Sequence, residues 1–319
     1  MQRGYYEEIM GVPRFGGDLW EIYAREGEQQ APAHEYAGMF ADDGFGNRCL
    51  RPLVNLDTER RGYQFTTNRW GLRDKDYLER PGPSTRRIAV IGPSLVMGVG
   101  VNDGEPFEQL VEDRLNAELL SGTGRSCELL NFGLPRASLA ESATIVESGR
   151  VAAFAPHVVL VVGHPHTLGS IEVELVRMLQ SGEPVPRAIT NVVAAEELAA
   201  ATSETEVRRL LAPHGEALLR SSLTIIAEAT RRMGAAPVFV LIPMPFEELT
   251  FPRGIDVLVL AKEAGFVAID LRDVYEGHTR DEVMLSDADH HPNAVGHRVI
   301  ADRLYEELIA LPEILATDS

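Results

Sequence analysis

From Arg87 onward, short apolar runs alternate with stretches whose apolar residues recur at helical spacing. Ile88-Ala-Val-Ile91 runs into Gly92, which suits a buried parallel strand. Phe107, Leu110, Val111 and Leu115 then fall on one helical face behind Asn102-Asp103-Gly104. Leu129 to Phe132 reads as a second strand closing at Gly133, and Ser138-x-x-Glu141 as a capping box opening a helix through Gly149. Val158 to Val162, Val238 to Ile242 and Phe266 to Ile269 predict strands three to five. After Pro292-Asn293, the residues Val299, Ile300, Leu304 and Leu308 predict an amphipathic helix. Such alternation implies one α/β domain over residues 86–319, with a parallel sheet between two helical layers.

Two segments stand outside this rhythm. Residues 1–85 are rich in Gly, aromatic and charged residues and close on Pro-Gly-Pro-Ser at 81–84, so they read as an arm of short strands and loops. Residues 168–215 make an unusually long excursion, with the run Val193–Ala201 and a second capping box, Ser203-x-x-Glu206. A helical lid, a surface through which copies associate, and a solvated decoration are the readings of that excursion.

Composition narrows the partners. Asp and Glu outnumber Lys and Arg by 48 to 30, giving a formal net charge of -18 with no basic block, which disfavours nucleic acid and anionic membranes. The same charge makes a neutral small molecule a better substrate than a polyanion. Two cysteines, Cys49 and Cys127, cannot build a disulfide framework. The start MQRGYYEEIMGVPRF lacks the apolar stretch of a secretory signal, and the longest apolar run is strand-sized, so a cytoplasmic location is expected.

In an open parallel sheet, ligands bind outside the carboxyl ends of the strands. There this chain places Gly92-Pro93-Ser94, Gly133, Gly163-His164-Pro165-His166, and the segment Ser286 to Asn293, SDADHHPN. A serine, histidines and aspartates on one edge are the inventory for nucleophilic acyl transfer. The serine needs an imidazole to take its proton, and the imidazole needs a carboxylate on its other nitrogen. The backbone N–H groups of Ser94 and Gly133 are placed to receive an oxyanion, and Gly133 leaves room for a close approach.

The blocks IAVIGPSLVMGVGV (88–101), Asn131–Gly133, Gly163–His166 and DHHPNAVGH (289–297) resemble the SGNH/GDSL hydrolase superfamily, in its order. Thr67 to Asp74, TNRWGLRD, resembles an arm found upstream in bacterial members. The resemblance implies a flavodoxin-like three-layer α/β/α fold with a central parallel sheet of about five strands and no cofactor. It implies a serine esterase or acyltransferase acting on a small acyl ester of a sugar or metabolite. Ser94 is the nucleophile it implies, His291 the base and Asp289 its orienting carboxylate. The superfamily's Gly-Asp-Ser reads Gly-Pro-Ser here, and its third-block asparagine is missing. His166 takes the place of that asparagine if the strand is aligned on Pro156, and Pro165 does if Gly163 is the anchor. Asp287-x-x-His290 is an alternative pair with the superfamily's commonest spacing, while His291 keeps the Pro-Asn context and is preferred. His297 reads as a structural contact, and Arg73 as a surface salt bridge.

Two readings from other classes compete. Departures at Pro93 and the missing asparagine would suit a weakened, binding-only relative. His164-x-His166 with Asp287, Asp289, His290 and His291 would offer ligands for zinc or manganese, although Ser94 and Gly133 gain nothing from a metal.

Overall fold

The computed structural model describes residues 40–42, 48–50, 55–56 and 62–316, apart from 182–183, 195–196, 199–200, 202, 248, 250 and 252–253. The leader reading of the first residues and four positions of the Val193–Ala201 run lie outside the described residues. Five parallel strands form the central sheet: β1 (Thr85–Gly92), β2 (Ser126–Gly133), β3 (Val158–Gly163), β4 (Ala236–Leu241) and β5 (Val267–Asp270). Their order across the sheet is β2-β1-β3-β4-β5, the doubly wound flavodoxin-like order. The order reverses between β1 and β3, and a crevice opens at such a switch point. Register fixes where it lies. Gly92 pairs with Gly133, Ile91 with Val161, Gly163 with Leu241, and Leu241 with Asp270, so the carboxyl ends form one row.

The period-two alternation of the strands divides the core into two layers. Ala89, Ile91, Leu130, Phe132, Val159 and Val161 face one cluster, and Ile88, Val90, Leu129, Val158, Leu160 and Val162 the other. The second layer is covered by helices α1 (Ser94–Met97), α2 (Phe107–Arg114) and α8 (Ala294–Ile309). The first is covered by α3 (Leu139–Glu147), α4 (Thr167–Ser181), α5 (Glu204–Leu211), α6 (Gly215–Arg232) and α7 (Val257–Glu263). Both cysteines are buried free thiols, and no helix of the described residues is long and apolar enough to cross a membrane.

The excursion departs from expectation. Leu168, Ile171 and Leu175 recur along one face of α4, and that face is buried in the first layer with Val207 and Leu211 of α5. These helices are therefore core elements, not a detached lid or a wholly solvated decoration. The Ser203 capping box forms as read, with Ser203 and Glu206 exchanging hydrogen bonds. Ser138 caps α3 through Ala140 and Glu141, but the helix stops at Glu147. Phe65, Leu72 and Tyr77 of the arm also enter the first layer, so the segment next to β1 packs as part of the domain. One element is new. Met284–Ser286 (β6) and Asp289–Pro292 (β7) pair as an antiparallel hairpin where a loop was expected.

Candidate active site

Ser94 begins α1 directly after Pro93, whose carbonyl accepts the N–H groups of Val96 and Met97. A four-residue helix leaves its first donors without intrahelical partners. Those of Ser94 and Leu95 have no hydrogen-bond acceptor among the described residues. The helix ends at Gly98 in the left-handed conformation (φ 74°), a position that favours glycine. Proline before Ser94 thus keeps the serine on a helix start at the carboxyl end of β1.

Hairpin β6–β7 brings the histidine to it. Pairing of Ser286 with Asp289 and of Met284 with Pro292 sets the strand so that successive side chains alternate. His290 and Pro292 are buried on one side, and Asp289 and His291 remain partly open on the other. His291 Nε2 lies 2.7 Å from Ser94 Oγ, and its Nδ1 lies 2.6 Å from Asp289 Oδ1. The same carboxylate oxygen accepts the His291 backbone N–H at 3.0 Å. Burial works against the Asp289 carboxylate, but its hydrogen bond to the imidazole and the imidazole's charge outweigh that and hold its pKa below the usual value. Asn293 explains the Pro-Asn context. Its Oδ1 caps α8 through Val295 and Gly296, while its amide donates to the carbonyls of Glu282 and Met284, locking the hairpin to the helix.

The alternative pair does not converge on Ser94. His290 Nε2 meets the backbone carbonyl of Asp287 at 3.3 Å, and burial lowers the pKa of its ring. Asp287 is exposed. His297 is wholly buried in α8, stacked on Phe107 and accepting the Phe107 N–H at Nδ1; burial pulls its pKa down to about 3. It is the structural contact that the sequence suggested.

The expected oxyanion donors stand differently. Gly133 N–H donates to Asn131 Oδ1 at 2.8 Å, so it is engaged as the site stands. A β-carbon on Gly133 would lie 2.3 Å from Met97 N and 2.7 Å from the Val96 carbonyl carbon. The close approach that this glycine permits is therefore that of α1 against β2, not that of a substrate. His166 follows β3, with Nε2 3.7 Å from Glu247 Oε1. His164 Nδ1 is 3.2 Å from the same oxygen, and its Nε2 is 3.2 Å from Ser170 Oγ. Glu247, after β4, was not singled out in the sequence; nothing in its spacing links it to residues 164 and 166. The two histidines thus pair with Glu247 while Asp289 and His291 serve Ser94. Among the described residues no group of three or more His, Cys, Asp or Glu is arranged to hold a metal ion.

Beneath the serine lies a buried polar layer. Asn131 donates to Val96 O at 2.7 Å and to Glu108 Oε1, tying β2 to α1 and α2. Its backbone N–H donates to Asp74, whose carboxylate also accepts the Tyr77 hydroxyl at 2.7 Å. Arg73, read as a surface residue, is 1% exposed. Its guanidinium donates to the carbonyls of Met97, Gly98, Val101 and Gln64 and lies 3.4 Å from Asp103. It gathers the chain that leaves α1, where carbonyls without a helical continuation need donors.

This layer predicts a pH dependence of stability. Burial raises the Asp74 carboxyl to about 7 and Glu108 to about 8, with the neighbouring carboxylates adding to the shifts. Both values lie above those of an unfolded chain, so the native state binds more protons between about pH 4 and 8. The stabilisation is complete below the unfolded pKa values and is lost as pH rises through the folded ones. Thermal melting of the wild type should accordingly fall from pH 5 to pH 8, and Glu108→Gln should flatten that slope. A wild-type melting temperature that rises over this range would contradict the assignment.

No protein-family model matches the chain, and no curated protein sequence does either. Solved structures do. A family 3 carbohydrate esterase from Clostridium thermocellum is 14% identical, with a TM-score of 0.44, over 73% of this chain and 99% of that one. A member of the lipolytic protein G-D-S-L family from Veillonella parvula is 12% identical, with a TM-score of 0.37, over 69% and 97%. The chain is also similar to an acetyl xylan esterase from Geobacillus stearothermophilus, at 13% identity and a TM-score of 0.42 over 70% and 94% of the two chains.

Proposed function

We propose that the chain is a serine-dependent ester hydrolase working through an acyl-enzyme on Ser94. The observation that carries this reading is the continuous relay from Ser94 Oγ through His291 to Asp289, at 2.7 and 2.6 Å. Supporting it are the sequence blocks that resemble the SGNH/GDSL superfamily and the place of Ser94 at the switch point. In the first half-reaction, Ser94 Oγ attacks the ester carbonyl carbon as its proton passes to His291 Nε2. Asp289 holds Nδ1–H and stabilises the imidazolium. The oxyanion is received by the Ser94 N–H, which has no other acceptor among the described residues; the Gly133 N–H and the His166 ring would join it only on leaving Asn131 Oδ1 and Glu247. His291 then protonates the departing alcohol, which leaves the acyl group on Ser94. In the second half-reaction, His291 takes a proton from water, whose oxygen attacks the acyl carbon, and the proton returns to Ser94 as the acid leaves. A small acyl ester of a sugar or metabolite is the proposed substrate.

A fluorophosphonate probe tests the activation of the serine without knowledge of the substrate. Stoichiometric adduct on the peptide containing Ser94, lost in His291→Ala, is the expected result by mass spectrometry. Folded wild-type protein that takes no label would instead point to the binding-only relative.

A further inference from the structure

Beyond the end of β4 the chain turns sharply, with Glu247 N–H donating to Met244 O at 3.0 Å around Pro245 and Phe246. Proline in the second position and a positive φ in the third are the pattern of a type II turn, whose third position favours glycine. Phe246 occupies it, at φ 59°. The turn is held from both sides: Glu247 Oε2 accepts the Met244 N–H at 2.8 Å, and Oε1 faces His164 and His166. A large side chain kept in an unfavourable conformation by its surroundings directs attention to function.

Nor is the ring buried for packing. Phe246 is 39% exposed, and Leu249 nearby is 47% exposed. One contact is specific: the Arg280 guanidinium carbon stands 5.2 Å from the ring centroid. Arg280 opens the short helix Arg280–Val283, which leads straight into β6 and the hairpin that carries His291. Phe246 therefore bridges the turn beyond β4, on the row of strand ends, and the short helix that leads into the hairpin carrying His291.

We infer that Phe246 is a specificity-determining residue, the wall that receives the apolar acyl chain of an ester longer than acetyl. This rests on the ester-hydrolase reading and adds its acyl class. A phenyl ring offers no hydrogen bond, so it selects by apolar burial alone. Each methylene fully buried is worth about fourfold in affinity. An acyl chain lying along one face of the ring should gain about tenfold over its four extra methylenes from acetate to hexanoate.

The test compares p-nitrophenyl acetate and hexanoate with the wild type, Phe246→Gly and Phe246→Asn, both replacements tolerating positive φ. In both variants kcat/KM for hexanoate should fall about tenfold, mainly through KM, while acetate stays within about twofold. The glycine variant should melt no lower than the wild type, since the turn then holds its preferred residue. An unchanged hexanoate-to-acetate ratio, equal losses on both esters, or a lower melting temperature of Phe246→Gly would each overturn the assignment. Failure of the underlying reading looks different: the wild type would then cleave neither ester faster than Ser94→Ala, and the assignment would fall with it.

Discussion

Ester cleavage by Ser94→Ala should drop by about 10⁴- to 10⁶-fold, with melting within a degree or two of the wild type. The loss is large because a nucleophile and its base act as one unit, so removing either forfeits most of the acceleration. Stability is spared because Ser94 is only partly buried, and the hydrogen bond of its hydroxyl among the described residues is to His291. His291→Ala should cost about as much, and the double variant little more. Asp289→Asn separates orientation from nucleophilicity. Its amide keeps the shape but presents N–H or a weaker acceptor to Nδ1, favouring the wrong tautomer, and a loss of about 10⁴ in kcat is expected. Steady-state turnover of p-nitrophenyl acetate, with circular dichroism as a fold control, checks the series. Retained turnover in Ser94→Ala would remove the acyl-enzyme mechanism.

Replacing Arg73 with methionine should destabilise the protein by about 3–5 kcal/mol, measured by urea unfolding. Methionine fills much of the volume but supplies no donor, so the carbonyls of Met97 and Val101 lose the guanidinium and that of Gly98 keeps only the Val101 N–H at 3.4 Å. The effect on activity should exceed what the unfolded fraction explains, because those carbonyls belong to the chain leaving α1. Arg73→Lys restores the charge but not the planar fork, and should recover only part of the stability. A methionine variant as stable as the wild type would show that the guanidinium bonds contribute nothing net.

The sheet was legible because its strands are buried on both faces, which leaves unbroken apolar runs such as Val158 to Val162. Strand β1 nevertheless begins three residues earlier than its apolar run, at Thr85. Arg86 and Arg87 fit inside it because Arg87 meets Glu128 and the Phe154 carbonyl and Arg86 the Ile314 carbonyl, partners that no local pattern reveals. The hairpin was hidden for the opposite reason: its strands have three and four residues, and β7 reads Asp-His-His-Pro. The spacing of Ser94, His291 and Asp289 was readable from their motif blocks, and the structure brings the three together. Glu247 was not, since its meeting with His164 and His166 depends on β3 and β4 lying side by side. Arg73 was misjudged by the rule that charges lie outside, which holds only where the chain offers no cluster of unsatisfied carbonyls.

Ser94 and His291 stand 197 positions apart, and their 2.7 Å contact exists only when β1 and the hairpin at the far end of the domain are both in place. No partly synthesised or partly folded chain lacking the hairpin can carry the relay. Closing so long a loop is entropically demanding, so it belongs late in assembly. Hydrolytic competence would then be a reporter of completed folding: during refolding, burst ester turnover should appear with the slowest phase and trail the recovery of helical signal.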